Sequence, residues 1–223
     1  VLPNIDYCYL LVDQNLNEQV YFQHTSKNNL TIKDVLLPSS KKSAIIFKSC
    51  LDVIVQSNNF DVITSINQKD FITSVIYSIQ QIPTVDLWKD DLSALFRTFP
   101  NLFESSIIPI MSYFSFDPWI YNLAEKTYTA QYIAEMFVSG RRQRMSDAFN
   151  FFVVAFSTNP NSIKLDDKIK SCIQILIQSK PQNEDTLILI EALERSDSEP
   201  TIQSFVETII NKLQNNEKWS EDL

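Results

Sequence analysis

Apolar residues recur at helical spacing through most of the chain, most densely between Pro100 and Ser157. Phe103, Ile107, Ile110, Met111 and Phe114 predict one helix of this stretch, and Trp119, Ile120 and Leu123 continue the pattern. Ile133, Met136 and Phe137 follow. Then Phe149, Phe151, Phe152, Val153, Val154 and Phe156 form a run that is apolar all round, which predicts a helix covered on every side. Phe149, Phe152, Val153 and Phe156 are expected to be buried there. Ahead of this run stands the chain's one glycine, Gly140, read as the residue that ends a helix over Gln131–Ser139.

The first thirty residues differ. Tyr7–Val12 and Val20–Phe22 are short runs of β character separated by polar residues, so the simplest reading of 5–24 is a β-hairpin. From Thr31 the pattern is helical, with regular punctuation. A short helix from Thr31 stops at Pro38, because proline disfavours α geometry in the residue before it. Ser39 or Ser40 caps a helix carrying Ile46, Phe47, Cys50, Leu51 and Ile54. Asn67 caps the helix of Phe71, Ile72, Val75, Ile76 and Ile79, which Pro83 ends. Thr84 is expected to cap a helix with Leu87, Trp88, Leu92, Leu95, Phe96 and Phe99 on its apolar side. Asp117 before Pro118, and Ser198 two residues before Pro200, have the form of a cap followed by proline in the first turn. Further helices carry Ile169, Cys172, Ile173, Leu176 and Ile177, then Leu187, Ile190 and Leu193, then Ile202, Phe205, Val206, Ile209, Ile210 and Leu213.

The expected organisation is an N-terminal extension over 1–30, one helical domain over 31–214 and a polar tail over 215–223. The predicted segments starting at 67, 84 and 101 recur at an interval of 17 residues. Short helices at this spacing, punctuated by proline, resemble the armadillo and HEAT α-solenoids, in which helix pairs of about 35–45 residues stack on one another. The resemblance implies an all-α, right-handed array of antiparallel helices with one elongated core. A compact helical bundle shares the same signals and is the alternative.

Composition sharpens this picture. A single glycine leaves no supply of positive-φ residues for tight hairpins or phosphate-cradling loops, which disfavours Rossmann, P-loop and turn-rich β folds. A net charge of −8 argues against nucleic-acid binding, which needs a concentrated positive surface. Cys8, Cys50 and Cys172 are odd in number and widely spaced, so neither a disulfide framework nor a zinc site is expected. Two of them sit in apolar helical patterns, which suits a reducing, intracellular compartment. No secretory, transit or membrane-spanning pattern is evident. The expected cofactors are none.

Candidate chemistry is sparse. His24 is the only histidine, at the edge of the expected hairpin, with no nucleophile arrangement around it. Asp90–Asp91, Asp166–Asp167 and Glu184–Asp185 are adjacent in sequence, so on a helix each pair diverges and reads as a solvated face. Arg141, Arg142 and Arg144 form a basic cluster in an acidic chain, a docking point for an acidic peptide or a phosphate. Cations after a helix end also complement its dipole. Trp88, Trp119, Tyr121, Tyr128 and Tyr132 are core or groove aromatics. Of these Tyr121, Tyr128 and Tyr132 are expected to be partly exposed, because polar residues flank each.

The function expected from this is a non-catalytic interaction scaffold that binds a protein or peptide, acidic where it meets the arginines, along a helical face. The alternative is a helical regulatory or accessory segment of a larger multidomain enzyme, which the missing start methionine and the isolated hairpin favour.

Overall fold

A computed structural model of the chain describes residues 32–139, 145–159, 161–179, 184–195 and 200–214. The regular structure among these residues is helical, as the single glycine and the apolar spacing lead one to expect. The expected hairpin over 5–24, Cys8, His24, Gly140, the three arginines and the tail from 215 lie outside the described residues.

Two compact units divide the chain, the first ending at Phe114 and the second starting at Ser115. The first contains α1 (Lys41–Gln56), α2 (Asp61–Thr64), α3 (Gln68–Gln81), α4 (Lys89–Thr98), α5 (Pro100–Phe103) and α6 (Ile107–Tyr113). The second contains α7 (Pro118–Tyr128), α8 (Ala130–Ser139), α9 (Met145–Thr158), α10 (Asp167–Gln178), α11 (Glu184–Arg195) and α12 (Pro200–Gln214).

Helix starts follow the polar caps. At α1 the Ser43 N–H donates to Ser40 Oγ at 3.2 Å, and the Ser40 N–H donates to Ser43 Oγ at 2.9 Å, a capping box closed by two serines. Asn67 Oδ1 accepts from the N–H groups of Lys69 and Asp70 at the start of α3. Asp117 accepts from the Trp119 N–H ahead of Pro118 in α7. Such caps contribute about 1 kcal/mol each.

Two starts differ from expectation. Thr84 makes no capping bond; a 3-10 turn over Val85–Trp88 precedes α4 instead. The reason lies in Trp88, wholly buried, whose indole N–H must find a partner and donates to the Ile82 carbonyl at 2.9 Å. That bond ties the turn back to the end of α3. The helix expected after Thr31 is likewise a 3-10 turn, Ile32–Val35, followed by Leu37 at φ 52°.

In the first unit α1 packs on α3 and α4, and α3 on α5 and α6. Phe71 joins these layers, its ring 6.1 Å from that of Phe47 and 6.4 Å from that of Phe103. In the second unit α9 packs against α7, α8, α10 and α11, so the apolar run is the central helix of its unit. Its most covered side is Ala148, Phe151, Phe152, Ala155 and Phe156, a stripe at i, i+3, i+4, i+7 and i+8. Phe152 and Phe156 are buried as expected. Phe149 and Val153 are only half-buried, because they lie one apart from that stripe, on the edge of the helix.

The turn between α7 and α8 is strained. Thr129 has φ 67° and ψ 145°, a region that crowds a β-branched side chain and suits glycine. Its Oγ1 accepts from the Tyr132 N–H at 3.2 Å, a cap that glycine replaces at a cost of only a few tenths of a kcal/mol. Thr129→Gly is therefore expected to raise the unfolding free energy by about 1 kcal/mol. Urea denaturation checks this; a lower midpoint would mean that the hydroxyl cap outweighs the backbone strain.

Candidate functional site

α10 presents a second face besides its apolar core stripe. Ile169, Ile173, Leu176 and Ile177 are buried in the core of the second unit. Lys168, Ser171, Cys172 and Ile175 fall at i, i+3, i+4 and i+7 on another face. This second face forms one wall of a groove of about 500 Å³. Phe137 and Val138 at the end of α8 and Met145 and Ala148 at the start of α9 form the rest. Phe137, Ala148 and Leu176 are buried and make the floor, whereas Met145 and Ile175 are 47% and 56% exposed at the edge.

The chemistry of the groove is that of a contact surface. Cys172 is free, and burial pushes its thiol above the ordinary value, which keeps it protonated and a poor nucleophile. Asp167 and Lys168 supply charge at the rim. A second depression, of about 670 Å³, shares Val138 and Lys168 with the groove and is lined further by Tyr132, Glu135, Met136 and Asp166. Asp166 is occupied as the cap of α10, accepting from the Ile169 N–H at 2.8 Å.

The aromatic candidates separate. Tyr132 is exposed and lines the second depression, and Tyr128 is half-buried on α7. Tyr121 is wholly buried, against the expectation of partial exposure. Its hydroxyl pairs with Ser162 Oγ at 3.2 Å, which satisfies the phenol away from water, and burial pushes its pKa up to about 12. Its ring lies 6.1 Å from that of Phe151, so it belongs to the core. Trp88 is also core, and Trp119 is half-buried.

Asp91 overturns the reading of Asp90–Asp91 as a solvated pair. Asp90 is exposed, but Asp91 is only 1% exposed. Lys48 Nζ on α1 lies 2.5 Å from Asp91 Oδ2, 2.5 Å from Asp52 Oδ1 and 5.1 Å from the centre of the Trp88 ring. Asp91 follows Trp88 by three residues and precedes Leu95 by four, so the core face of α4 carries it inward. Burial pushes the Asp91 carboxyl up to about 7; the charge of Lys48 opposes this and that of Asp52 adds to it. A perturbed carboxylate is a catalytic candidate where it lines a cleft. Lys48, Asp52 and Asp91 line neither the groove nor the second depression.

Among the described residues no group of three or more His, Cys, Asp or Glu side chains could hold a metal ion. No helix among them is long and apolar enough to cross a membrane. The fold and the groove together define an all-α chain with an apolar, solvent-edged surface cleft. Comparison with protein-family models, with curated proteins and with solved structures finds no match.

Proposed function

We propose that the chain is a non-catalytic protein-interaction module that takes an apolar segment of another protein in the groove between α8, α9 and α10. The observation that carries this is Ile175, a large aliphatic residue 56% exposed at the edge of a cleft whose floor is already apolar. A concave cleft with an apolar floor and a few polar groups at its rim is the form that binding sites take. A volume of about 500 Å³ suits two or three large side chains of an amphipathic helix or an extended peptide. Arg141, Arg142 and Arg144, outside the described residues, add the sequence-based expectation that acidic residues accompany the apolar ones in the partner.

We read the array as a solenoid of the armadillo or HEAT kind rather than a bundle. What supports this is that helices of the second unit pack on neighbours close in chain order: α7 on α8 and α9, α8 on α10, α9 on α11, and α11 on α12. Cys50, a buried thiol in the core stripe of α1, suits an intracellular setting for the module.

The test is selection of peptides from a displayed library on the wild-type chain, followed by affinity measurement on Ile175→Asp. Surface substitutions leave stability within about 0.5 kcal/mol, so the variant stays folded. The selected peptides are expected to carry large apolar residues and to lose at least about tenfold in affinity, because a carboxylate buried without a partner opposes binding. Equal affinity for both chains, or amide shifts confined to other helices, would overturn the proposal.

A further inference from the structure

The buried charges of the first unit form a balanced group only in one protonation state. Lys48 is 2% exposed and Asp91 1% exposed, while the Asp52 side chain is 29% exposed. Lys48 and Asp52 belong to α1 and Asp91 to α4, and the two helices pack against each other. Lys48 Nζ meets both carboxylates at 2.5 Å, yet among the described residues Asp91 Oδ1 is buried with no hydrogen-bond partner.

We infer that Lys48, Asp52 and Asp91 form a proton-operated latch between α1 and α4, closed while Asp91 is neutral and loosened when it ionises. With Asp91 neutral, Lys48 and Asp52 cancel, and their charges are met at close range. Ionising Asp91 sets two carboxylates against one ammonium inside the unit. The second negative charge is buried, and Oδ1 meets no donor among the described residues. The Trp88 ring beside Lys48 offers only its electron-rich face, which attracts the cation and does nothing for an anion.

The charges that act on Asp91 are those of Lys48 and Asp52. Of the described elements that pack most on α4, the other two bring no charge to it: Asp86 of the Val85–Trp88 turn pairs with Lys89 at the surface, and α5 has no charged residue. Burial pushes the carboxyl from 3.8 up to about 7, so the change falls near neutrality. A raised carboxyl favours the folded state at low pH. Its contribution is full below the ordinary carboxylate range, near pH 4, and is lost as pH rises through about 7. Across that interval the folding constant falls by up to about tenfold per pH unit.

Two measurements on the full chain test the latch. In a carboxyl-carbon NMR titration the Asp91 midpoint is expected near 7 and is expected to fall in Asp52→Asn, which removes the repelling charge. In native-state hydrogen exchange, corrected for intrinsic rates, the opening constants of α1 and α4 amides are expected to rise between pH 5 and 8. Asp91→Asn, neutral at every pH, is expected to abolish that rise. An Asp91 midpoint in the ordinary range, about 4, overturns the inference, as does an unchanged slope in Asp91→Asn. If Asp91→Asn fails to fold, the wild-type midpoint and its response to Asp52→Asn decide.

Discussion

Phe151→Ala is expected to lower the unfolding free energy of the chain by about 3–5 kcal/mol, the usual cost of removing a buried phenylalanine ring. Phe151 is wholly buried on the central helix of its unit. Its ring lies 5.1 Å from that of Phe137 on α8, 6.1 Å from that of Tyr121 on α7 and 5.4 Å from that of Phe152 on α9. One truncation therefore opens a void that three helices line, and none can collapse into it without breaking its other contacts. Domains of this size are stable by about 5–15 kcal/mol, so the loss is about a fifth of the total or more. Phe149→Ala is the internal control: Phe149 is half-buried on the edge of the same helix, and its truncation is expected to cost less than Phe151→Ala. Urea unfolding of the two variants separates them. A Phe151→Ala midpoint equal to that of the wild type would mean that α9 is not the centre of its unit.

Helix positions were legible because local chemistry decides them. Ser40, Asn67 and Asp117 offer an acceptor oxygen ahead of an apolar run, and each meets the free N–H groups of a first turn. Thr84 offers the same oxygen and loses to a longer-range demand, the need of the buried Trp88 indole for the Ile82 carbonyl. That competition involves which face of the turn is covered, which the sequence around Thr84 does not contain. Tyr121 is buried rather than partly exposed for a related reason. Polar neighbours on either side say little about a residue whose own face of α7 turns inward, toward Phe151.

The sequence of α10 also carries a signal for the groove. Ile169, Ile173 and Leu176 account for the core contact of α10, which leaves Ile175 with no role on that face. A large aliphatic residue out of register is the signal that a second surface exists. The buried charges carried the same kind of signal. Lys48 lies in the stripe Ala44, Phe47, Lys48, Leu51, and Asp91 in the stripe Trp88, Asp91, Leu92, Leu95, each at i, i+3, i+4 and i+7. Two charges of opposite sign on two core faces pair most readily with each other. What register alone withholds is that α1 and α4 are neighbours, which is a fact of tertiary packing.

That pairing sets the second large effect. Lys48→Met keeps the length and apolar stem of the side chain and removes the charge. It is expected to cost about 3–5 kcal/mol at pH 8, the usual penalty for leaving a buried charge without its partner. At that pH the wild-type Asp91 is ionised, since its carboxyl titrates near 7. In the variant it must either stay charged in an apolar surround or take up a proton from dilute solution. At pH 5 Asp91 is neutral in the folded state, and Asp52, 29% exposed, is left with water as its partner. The cost is then expected to be smaller. Lys48→Met with Asp91→Leu removes both buried charges, and replacement of a buried pair by apolar residues of similar size is often neutral or stabilising. The double variant is therefore expected to recover most of the loss at pH 8 and to show a weaker dependence on pH than either the wild type or Lys48→Met. Urea unfolding of the three chains at pH 5 and pH 8 gives the comparison. Equal costs for Lys48→Met at the two pH values would mean that Asp91 does not change its charge between them. A double variant no more stable than the single one at pH 8 would mean that the stem and shape of Lys48, rather than its charge, hold α1 to α4.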